Sequence, residues 1–214
     1  MENKVKIECF DVVKQFQDQT VLEKITYQFE QGTTYALMGA SGSGKSTFMH
    51  LLAGLDSPTS GTITCLDTSS FVTQSPFFIK ELTVFENIAL AGQIKKIPKK
   101  ELCKKIDYLL DAVGLLETKK WQVGALSGGQ QQRIALVRAL VTEPTFLLAD
   151  ELTGNLDTTT GKIIMDLLLD FQKKYNMGLI LSTHNEKIAE RMQVVLEIEK
   201  GLLTRKENKY ERSL

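Results

Sequence analysis

The run GASGSGKS at residues 39–46 constrains the fold of this chain more than any other feature of its sequence. It fits the pattern G-x-x-x-x-G-K-[ST], and it lies between the apolar stretch TTYALM (33–38) and the helix-like stretch FMHLLAGL. Glycines at 39, 42 and 44 allow the backbone to bend, so that successive N–H groups point inward next to the N-terminus of the following helix. The motif therefore predicts a strand, an anion-binding loop and a helix.

Each position of this loop has an expected role toward a nucleotide. Lys45 is expected to reach the β- and γ-phosphates as a point charge, and the Ser46 hydroxyl is expected to bind Mg²⁺. The flanking strand and helix argue against the alternative, a flexible glycine-serine turn. The predicted ATP-binding residues of the loop are Gly39, Ala40, Ser41, Gly42, Ser43, Gly44, Lys45, Ser46 and Thr47.

Two adjacent acids end a second apolar stretch, TFLLAD, where Asp150 is followed by Glu151. Carboxylates at the end of a buried strand are costly unless they have a function or reach solvent. Beside a phosphate loop, Asp150 is expected to hold Mg²⁺ through the water shell of the ion, and Glu151 to polarise a water near the γ-phosphate. A strand end that merely reaches solvent is the alternative.

The order of the apolar stretches predicts an α/β fold in a single domain. After the run LSGGQQQR (126–133), helix-like and strand-like stretches alternate, which favours right-handed β-α-β units and a mostly parallel sheet covered on both faces. The first thirty residues twice alternate apolar and polar side chains, as antiparallel strands do. We expect a β lobe at about 1–30 and 61–74, a core at about 31–60 and 130–214, and a helical lobe at about 80–130. The clearest predicted helix follows Pro98 and has Leu102, Ile106, Leu109 and Val113 on one face.

Composition limits the cellular compartment and the classes of partner that we expect. The 26 basic residues equal the 26 acidic ones, so no net field favours nucleic acid, and no nucleic-acid partner is expected. Cys9, Cys65 and Cys103 are far apart, which predicts a reducing compartment rather than a disulfide or zinc site. No apolar run approaches the roughly 18 residues of a spanning helix, so the expected localisation is cytoplasmic unless a partner holds the chain at a membrane.

A third motif, LSGGQQQR at 126–133, leads directly into the apolar-periodic stretch IALVRAL. Together with the phosphate loop and Asp150-Glu151, it resembles the signature of the ATP-binding-cassette (ABC) ATPases, over nearly the whole chain. The resemblance implies a P-loop NTPase core with a mostly parallel sheet, an antiparallel β lobe and an inserted α-helical lobe. It also implies hydrolysis of ATP with Mg²⁺ by two paired domains, each ATP lying between the phosphate loop of one and the LSGGQ of the other.

The resemblance assigns roles to individual residues. Gln74 would touch the metal and the attacking water, so the implied metal-binding residues are Ser46, Gln74 and Asp150. His184 would contact the γ-phosphate and steady Glu151. The implied signature residues, which act on the nucleotide of the partner, are Ser127, Gly128, Gly129 and Gln130. For Ser127, helix capping is compatible with that function.

Two further positions match the family. Asp157, in GNLD, corresponds to the loop that crosses the dimer interface, and Phe16 lies where an aromatic ring stacks on adenine. Core burial is the competing interpretation for Phe16, because Phe10 is near. His50 is expected to be structural.

The sequence also departs from the family pattern in three places. Leu152 stands where a proline often follows the catalytic glutamate, and Asn185 stands where an aspartate is common. Only twelve residues separate Gly61 from Gln74, so the strand-rich lobe is expected to be trimmed. None of these departures removes a group that performs chemistry.

The motif details favour one branch of the family. LSGGQQQR and the GNLD after ELT most resemble the lipoprotein-releasing and macrolide-export branch. The implied function is ATP-driven transport of a peptide, bacteriocin, lipoprotein or drug-like substrate through a separate integral membrane permease, with the ATPase peripheral on the cytoplasmic face of the plasma membrane. The alternative is a regulatory ATPase of the cell-division type, whose membrane partner transports nothing. A groove at Phe77, Phe78 and Leu82 is expected to receive the permease; core packing of these side chains is the other interpretation.

Overall fold

The structure, a computed structural model, describes residues 5–64, 69–152, 154 and 158–206. The strands are β1 (Lys6–Phe16), β2 (Gln19–Glu30), β3 (Thr34–Met38), β4 (Ser60–Thr64), β5 (Ser69–Val72), β6 (Phe146–Asp150), β7 (Gly178–Ser182), β8 (Val194–Glu199) and β9 (Leu202–Lys206). The helices are α1 (Lys45–Leu52), α2 (Val84–Ile94), α3 (Lys99–Ala112), α4 (Gly128–Leu140), α5 (Thr158–Tyr175) and α6 (Glu186–Ala189). Short 3₁₀ turns lie at Leu116–Lys120 and Val123–Ala125.

A six-stranded sheet in the order β5-β6-β7-β3-β8-β9 forms the centre of the fold. All neighbouring strands are parallel except β9, which runs antiparallel to β8. The mostly parallel sheet predicted from the sequence is therefore confirmed. Strand β9 is an addition, because its exposed edge position leaves no apolar pattern in LLTRK.

Alternate side chains of the central strands face opposite sides of this sheet, as the two-residue period of a strand requires. Tyr35 and Leu37 of β3 belong to a core cluster with Phe29 of β2 and Phe48 of α1. Ala36 belongs to the other cluster, which contains the buried faces of α2 to α5. The sheet is covered on both faces, as predicted.

A second, three-stranded antiparallel sheet in the order β2-β1-β4 forms the β lobe. The predicted lobe also included 61–74, and there the structure differs. Residues 69–72 form β5, which pairs in parallel with β6 at the edge of the central sheet. The buried strand FLLAD offers these residues a parallel partner, so the β lobe contains β4 but not β5.

The helical lobe consists of α2, α3, the 3₁₀ turns and the first part of α4. Helix α3 begins after Pro98. The four apolar residues predicted to share its inner face, Leu102, Ile106, Leu109 and Val113, are all buried. Thr83 and Glu86 form a capping box at the start of α2, so each satisfies a free backbone N–H group of the other.

Candidate nucleotide-binding site

Three of the predicted motifs emerge at one edge of the central sheet. Strands β3, β7 and β6 are parallel neighbours, and Ser182 of β7 pairs with Leu37 on one side and Asp150 on the other. The carboxyl ends of these strands therefore lie side by side, which is where open parallel sheets bind ligands. The phosphate loop follows β3, Glu151 follows β6, and His184 follows β7.

The loop after β3 has the backbone conformation that its glycines permit. Gly39, Gly42 and Gly44 have φ angles of 145°, 78° and 103°, all in the region that other residues rarely adopt. A Cβ atom at Gly39 would also collide with the carbonyl oxygen of Ile198 and with Ser43 Oγ. The close approach of the loop to β8 therefore requires glycine at this position.

The side chains inside this loop are hydrogen-bond donors suited to an anion. Lys45 is only 6% exposed, and its Nζ donates to the carbonyl oxygens of Gly39 and Ala40, both at 2.8 Å. An ammonium group has three donors, so one is left for a phosphate oxygen. Ser43 Oγ is buried and has no hydrogen-bond partner within the described residues. This donor set at the N-terminus of α1 fits a nucleotide phosphate.

The two acids after β6 are oriented by one hydroxyl group on the neighbouring strand. Ser182, fully buried, donates its Oγ–H to Asp150 Oδ1. The backbone N–H of Glu151 donates to the Ser182 carbonyl oxygen and to Ser182 Oγ, both at 3.2 Å. Glu151 has φ 45°, in the left-handed region. None of the predicted site residues is Ser182, although a hydroxyl at the end of the apolar run LIL is a usable signal.

Gln74 and His184 both reach the Glu151 carboxylate region. His184 Nδ1 lies 3.5 Å from Glu151 Oε1. A Cβ atom added at Gly154 would meet Gln74 Nε2 at 3.0 Å and Glu151 Oε2 at 3.5 Å, so these two side chains approach the same point. The three residues expected to act on the attacking water are therefore close together.

A cavity of about 370 Å³ extends from this site between the core and the helical lobe. Gln74 and Asp150 line it together with His50, Phe77 and Arg138. A hydroxyl (Ser46), a carboxylate and a side-chain amide are the oxygen ligands that Mg²⁺ accepts alongside phosphates and water. The chemistry of the predicted metal-binding residues thus fits Mg²⁺.

The signature lies on the helical lobe. Ser127 Oγ accepts from the N–H of Gln130 at 3.3 Å, and Gln130 Oε1 accepts from the N–H of Ser127 at 2.8 Å. This capping box leaves Ser127 and Gly128 exposed at the start of α4. Helix α4 packs against α2, α3 and β5, whereas α1 packs against β6 and β7. The signature and the phosphate loop of one chain therefore belong to different packing units.

The remaining predicted positions have mixed outcomes. Phe16 is 50% exposed, so its core-burial interpretation is wrong. Phe77 is 91% exposed, whereas Phe78 packs against the helical-lobe core with the Arg138 guanidinium 4.7 Å from its ring centroid. Asp157 lies outside the described residues. No helix in the described ranges is long and apolar enough to cross a bilayer.

Two of the three departures from the family pattern have a local structural role. Leu152 is buried in the larger core cluster, directly after Glu151. Asn185 Oδ1 accepts from the N–H of Lys187 at 3.0 Å and caps α6, a role that aspartate also performs.

Comparison with known proteins decides the family. Residues 22–154, more than half of the chain, match the family described as ABC transporter. The chain belongs to the ABC transporter ATPases. As a member of this family it is an ATP-binding and ATP-hydrolysing cassette.

The similar sequences share one name, and the similar solved structures are ABC cassettes. The chain is 36% identical to the lipoprotein-releasing system ATP-binding protein LolD of Hydrogenovibrio crunogenus, over 85% of this chain and 86% of that protein. It is 39% identical to LolD of Syntrophus aciditrophicus, over 85% and 89%. Among solved structures, the dimeric bacterial ABC cassette MJ0796 has a TM-score of 0.85 at 29% identity, covering 95% of this chain and 99% of that one. A post-hydrolysis dimer of the same cassette, bound to ADP and Pi, has a TM-score of 0.84 at 27% identity.

Proposed function

We propose that this ABC ATPase drives a lipoprotein-releasing type of transporter through a separate membrane permease. The observation that carries the proposal is its similarity to LolD proteins, which extends along most of both chains at 36–39% identity in the relatives described above. The same names give no support to the regulatory, cell-division type of ATPase. Attachment to the permease would hold the protein at the cytoplasmic face of the membrane.

The phosphate loop would bind ATP through three kinds of donor. Backbone N–H groups at residues 39–44 and the N-terminus of α1 face the phosphates, and Lys45 adds a positive charge. Ser46, Gln74 and Asp150 would hold Mg²⁺, which neutralises charge that develops on the β- and γ-phosphates. The exposed face of Phe16 would stack on the adenine ring.

Hydrolysis would depend on the group of side chains around Glu151. The Glu151 carboxylate would accept a proton from the attacking water, and Gln74 would help to orient that water. His184 would contact the γ-phosphate while its Nδ1 keeps the carboxylate in place. Hydrogen bonds to Ser182 hold the Asp150 carboxylate and the Glu151 backbone in place before ATP arrives.

The site would be completed by a second copy. Ser127, Gly128, Gly129 and Gln130 would bind the γ-phosphate of the ATP held by the partner, because the start of a helix attracts anions through its N–H groups and its dipole. Asp157 would lie in the loop that crosses the interface. The solved MJ0796 dimers support this pairing.

A reconstitution experiment tests the transport function. The ATPase is co-expressed with the integral membrane proteins encoded beside it, purified as a complex, and placed in liposomes loaded with an acylated lipoprotein. We expect ATP-dependent release of the lipoprotein to a soluble acceptor, and no release with the Glu151→Gln complex. ATP hydrolysis without release of lipoprotein, in a complex that releases another substrate, would contradict the proposal.

A further inference from the structure

One lysine occupies an unusual place on the inner face of the β lobe. The inward-facing positions of β1 are Ile7, Cys9, Val12 and Lys14, and all four are buried. Lys14 is 8% exposed. An ammonium group at the end of an apolar face is unfavourable unless it is paired and hydrogen-bonded, so its partners indicate why it is there.

The partners of Lys14 fix the position of its ammonium group. Nζ donates to Asp56 Oδ1 and to the Ser57 carbonyl oxygen, both at 2.8 Å. These two acceptors lie in the loop that follows α1. The hydrogen bond from Lys14 is the largest of the effects that lower the pKa of Asp56, so the carboxyl group stays ionised.

The same ammonium group lies against the Phe16 ring. Nζ is 4.9 Å from the ring centroid, within the range of a cation–π contact. Lys14 and Phe16 are two residues apart on β1 and so point to the same side of the strand. The ring is held at one face by a cation that is itself fixed, although half of the Phe16 side chain remains exposed.

Phe16 is also close to the phosphate loop along the strand. Phe16 pairs with Gln19 of β2, and Lys14 pairs with Leu22. A Cβ atom at Gly44 would meet Leu22 Cδ2 at 2.9 Å and Val21 Cγ1 at 3.2 Å, so the loop touches this part of β2. At about 3.3 Å per residue, Phe16 lies roughly 7–10 Å further along the hairpin.

We propose that Lys14 is a positioning residue for the base of ATP: anchored by Asp56 and the Ser57 carbonyl, its ammonium group holds one face of Phe16 and leaves the other to stack on adenine. This inference rests on the proposed role of Phe16. If Lys14 served only to link β1 to the loop after α1, its replacement would change the affinity equally for ligands with a base and for ligands without one.

The test compares two ligands that both carry three linked phosphates, of which only ATP also carries a base. Lys14→Met keeps an apolar side chain of similar length and removes the charge. Dissociation constants are measured by calorimetry for ATP and for inorganic tripolyphosphate, each with Mg²⁺. From the usual strength of cation–π contacts we expect ATP binding to weaken by about 3- to 30-fold, with tripolyphosphate binding changed by less than about twofold.

Four further variants make the result specific. Phe16→Ala should weaken ATP binding selectively in the same way, and Lys14→Met added to Phe16→Ala should weaken it no further. Lys206→Met is the matched control, because Lys206 at the end of β9 is also ion-paired with a carboxylate, that of Glu197 on β8. If Lys14→Met does not fold, Asp56→Asn removes the anchor and should give a smaller loss with the same selectivity.

The outcomes separate this inference from the proposed function. Equal weakening of both ligands, no weakening, or fully additive losses in the double variant would overturn the role of Lys14. Unchanged ATP affinity in Phe16→Ala would also overturn it, while ATP hydrolysis by the wild-type protein would leave the proposed function standing. A wild-type protein that bound tripolyphosphate but not ATP would contradict both.

Discussion

The imidazole of His184 and the carboxylate of Glu151 face each other from the ends of two adjacent parallel strands, with Nδ1 3.5 Å from Oε1. Glu151 is thus in contact with a group that is largely open to solvent, since the His184 side chain is 70% exposed. The backbone of Glu151, in contrast, is held by Ser182. The structure therefore fixes the backbone of Glu151 and leaves the position of its carboxylate to be adjusted by a bound phosphate.

Glu151→Gln should abolish turnover and preserve binding. The amide keeps the shape of the side chain but cannot accept a proton, and loss of a general base typically lowers a rate by about 10²- to 10⁴-fold. Phosphate release gives the rate, and gel filtration with ATP should show an accumulated dimer. Glu197→Gln is the control, because Glu197 is similarly exposed and also has an ion-pair partner. Hydrolysis at the normal rate in Glu151→Gln would refute the general-base role.

Lys45→Ala should weaken nucleotide binding. Hydrogen bonds that involve a charge contribute about 1.5–3 kcal/mol, which corresponds to roughly a 10- to 100-fold loss of ATP affinity. The change also leaves the Gly39 and Ala40 carbonyl oxygens without their donor, so circular dichroism must show that the variant is folded. Lys206→Ala is the control, and a titration with undiminished affinity in Lys45→Ala would contradict the phosphate cradle.

Ser127→Asp separates helix capping from action on the partner's nucleotide. Aspartate and asparagine are both good N-cap residues, so Ser127→Asp and Ser127→Asn should both keep α4 capped and the thermal stability near that of the wild type. Only the aspartate adds a negative charge where the γ-phosphate of the partner is expected. We therefore expect ATP-dependent dimerisation, followed by light scattering, to be lost in Ser127→Asp and retained in Ser127→Asn. Equal dimerisation of the two variants would show that the signature does not meet the phosphate.

Asp56 should make the free energy of unfolding depend on pH in the acidic range. Its folded-state pKa is lowered, first by the hydrogen bond from Lys14 and also by the backbone N–H of Ser57 and the charges of Lys14 and His50. The unfolded chain therefore takes up this proton before the folded protein does. The contribution is present above the usual pKa of about 3.9 and is lost as the pH falls through the lower folded value.

The measurement for Asp56 is a pair of denaturation series. The difference in unfolding free energy between the wild type and Asp56→Asn should be constant from neutral pH to about pH 5 and should shrink below about pH 4. His50→Gln controls for the effect of the nearby imidazole on Asp56. A difference that stayed constant down to pH 3 would show that the Lys14–Asp56 pair does not stabilise the folded state.

The central sheet was predictable because its strands carry their own signals. TTYALM, TFLLAD and GLILST are apolar runs that end at motif residues, and parallel order follows from the helices between them. The prediction that residues 69–72 belong to the β lobe is wrong because SSFV is too short to specify a partner strand. Its partner, β6, lies more than seventy residues further along the chain. Strand β9 lacks an apolar pattern because it lies at the edge of the sheet with four of its five residues exposed.

The candidate site, like the sheet, was predictable from the sequence only in part. Motif spacing predicts where Lys45, Asp150 and Glu151 lie along the chain, and their roles remain predictions for the experiments above. The buried position of Lys14 was not predictable, because irregular pairing in β1 shifts which side chains face inward. The orienting role of Ser182 required the register between two strands, which no local pattern contains.

The hydrogen bonds of Ser182 make the site depend on the register of β7 against β6. Successive side chains of a strand point to opposite faces, so a shift of β7 by one residue would place Leu181 or Thr183 opposite Asp150. Neither acid would then keep its present hydroxyl partner, although every residue of the motifs would still be there. An insertion or deletion within β7 itself would therefore remove these hydrogen bonds while leaving every motif residue in the chain.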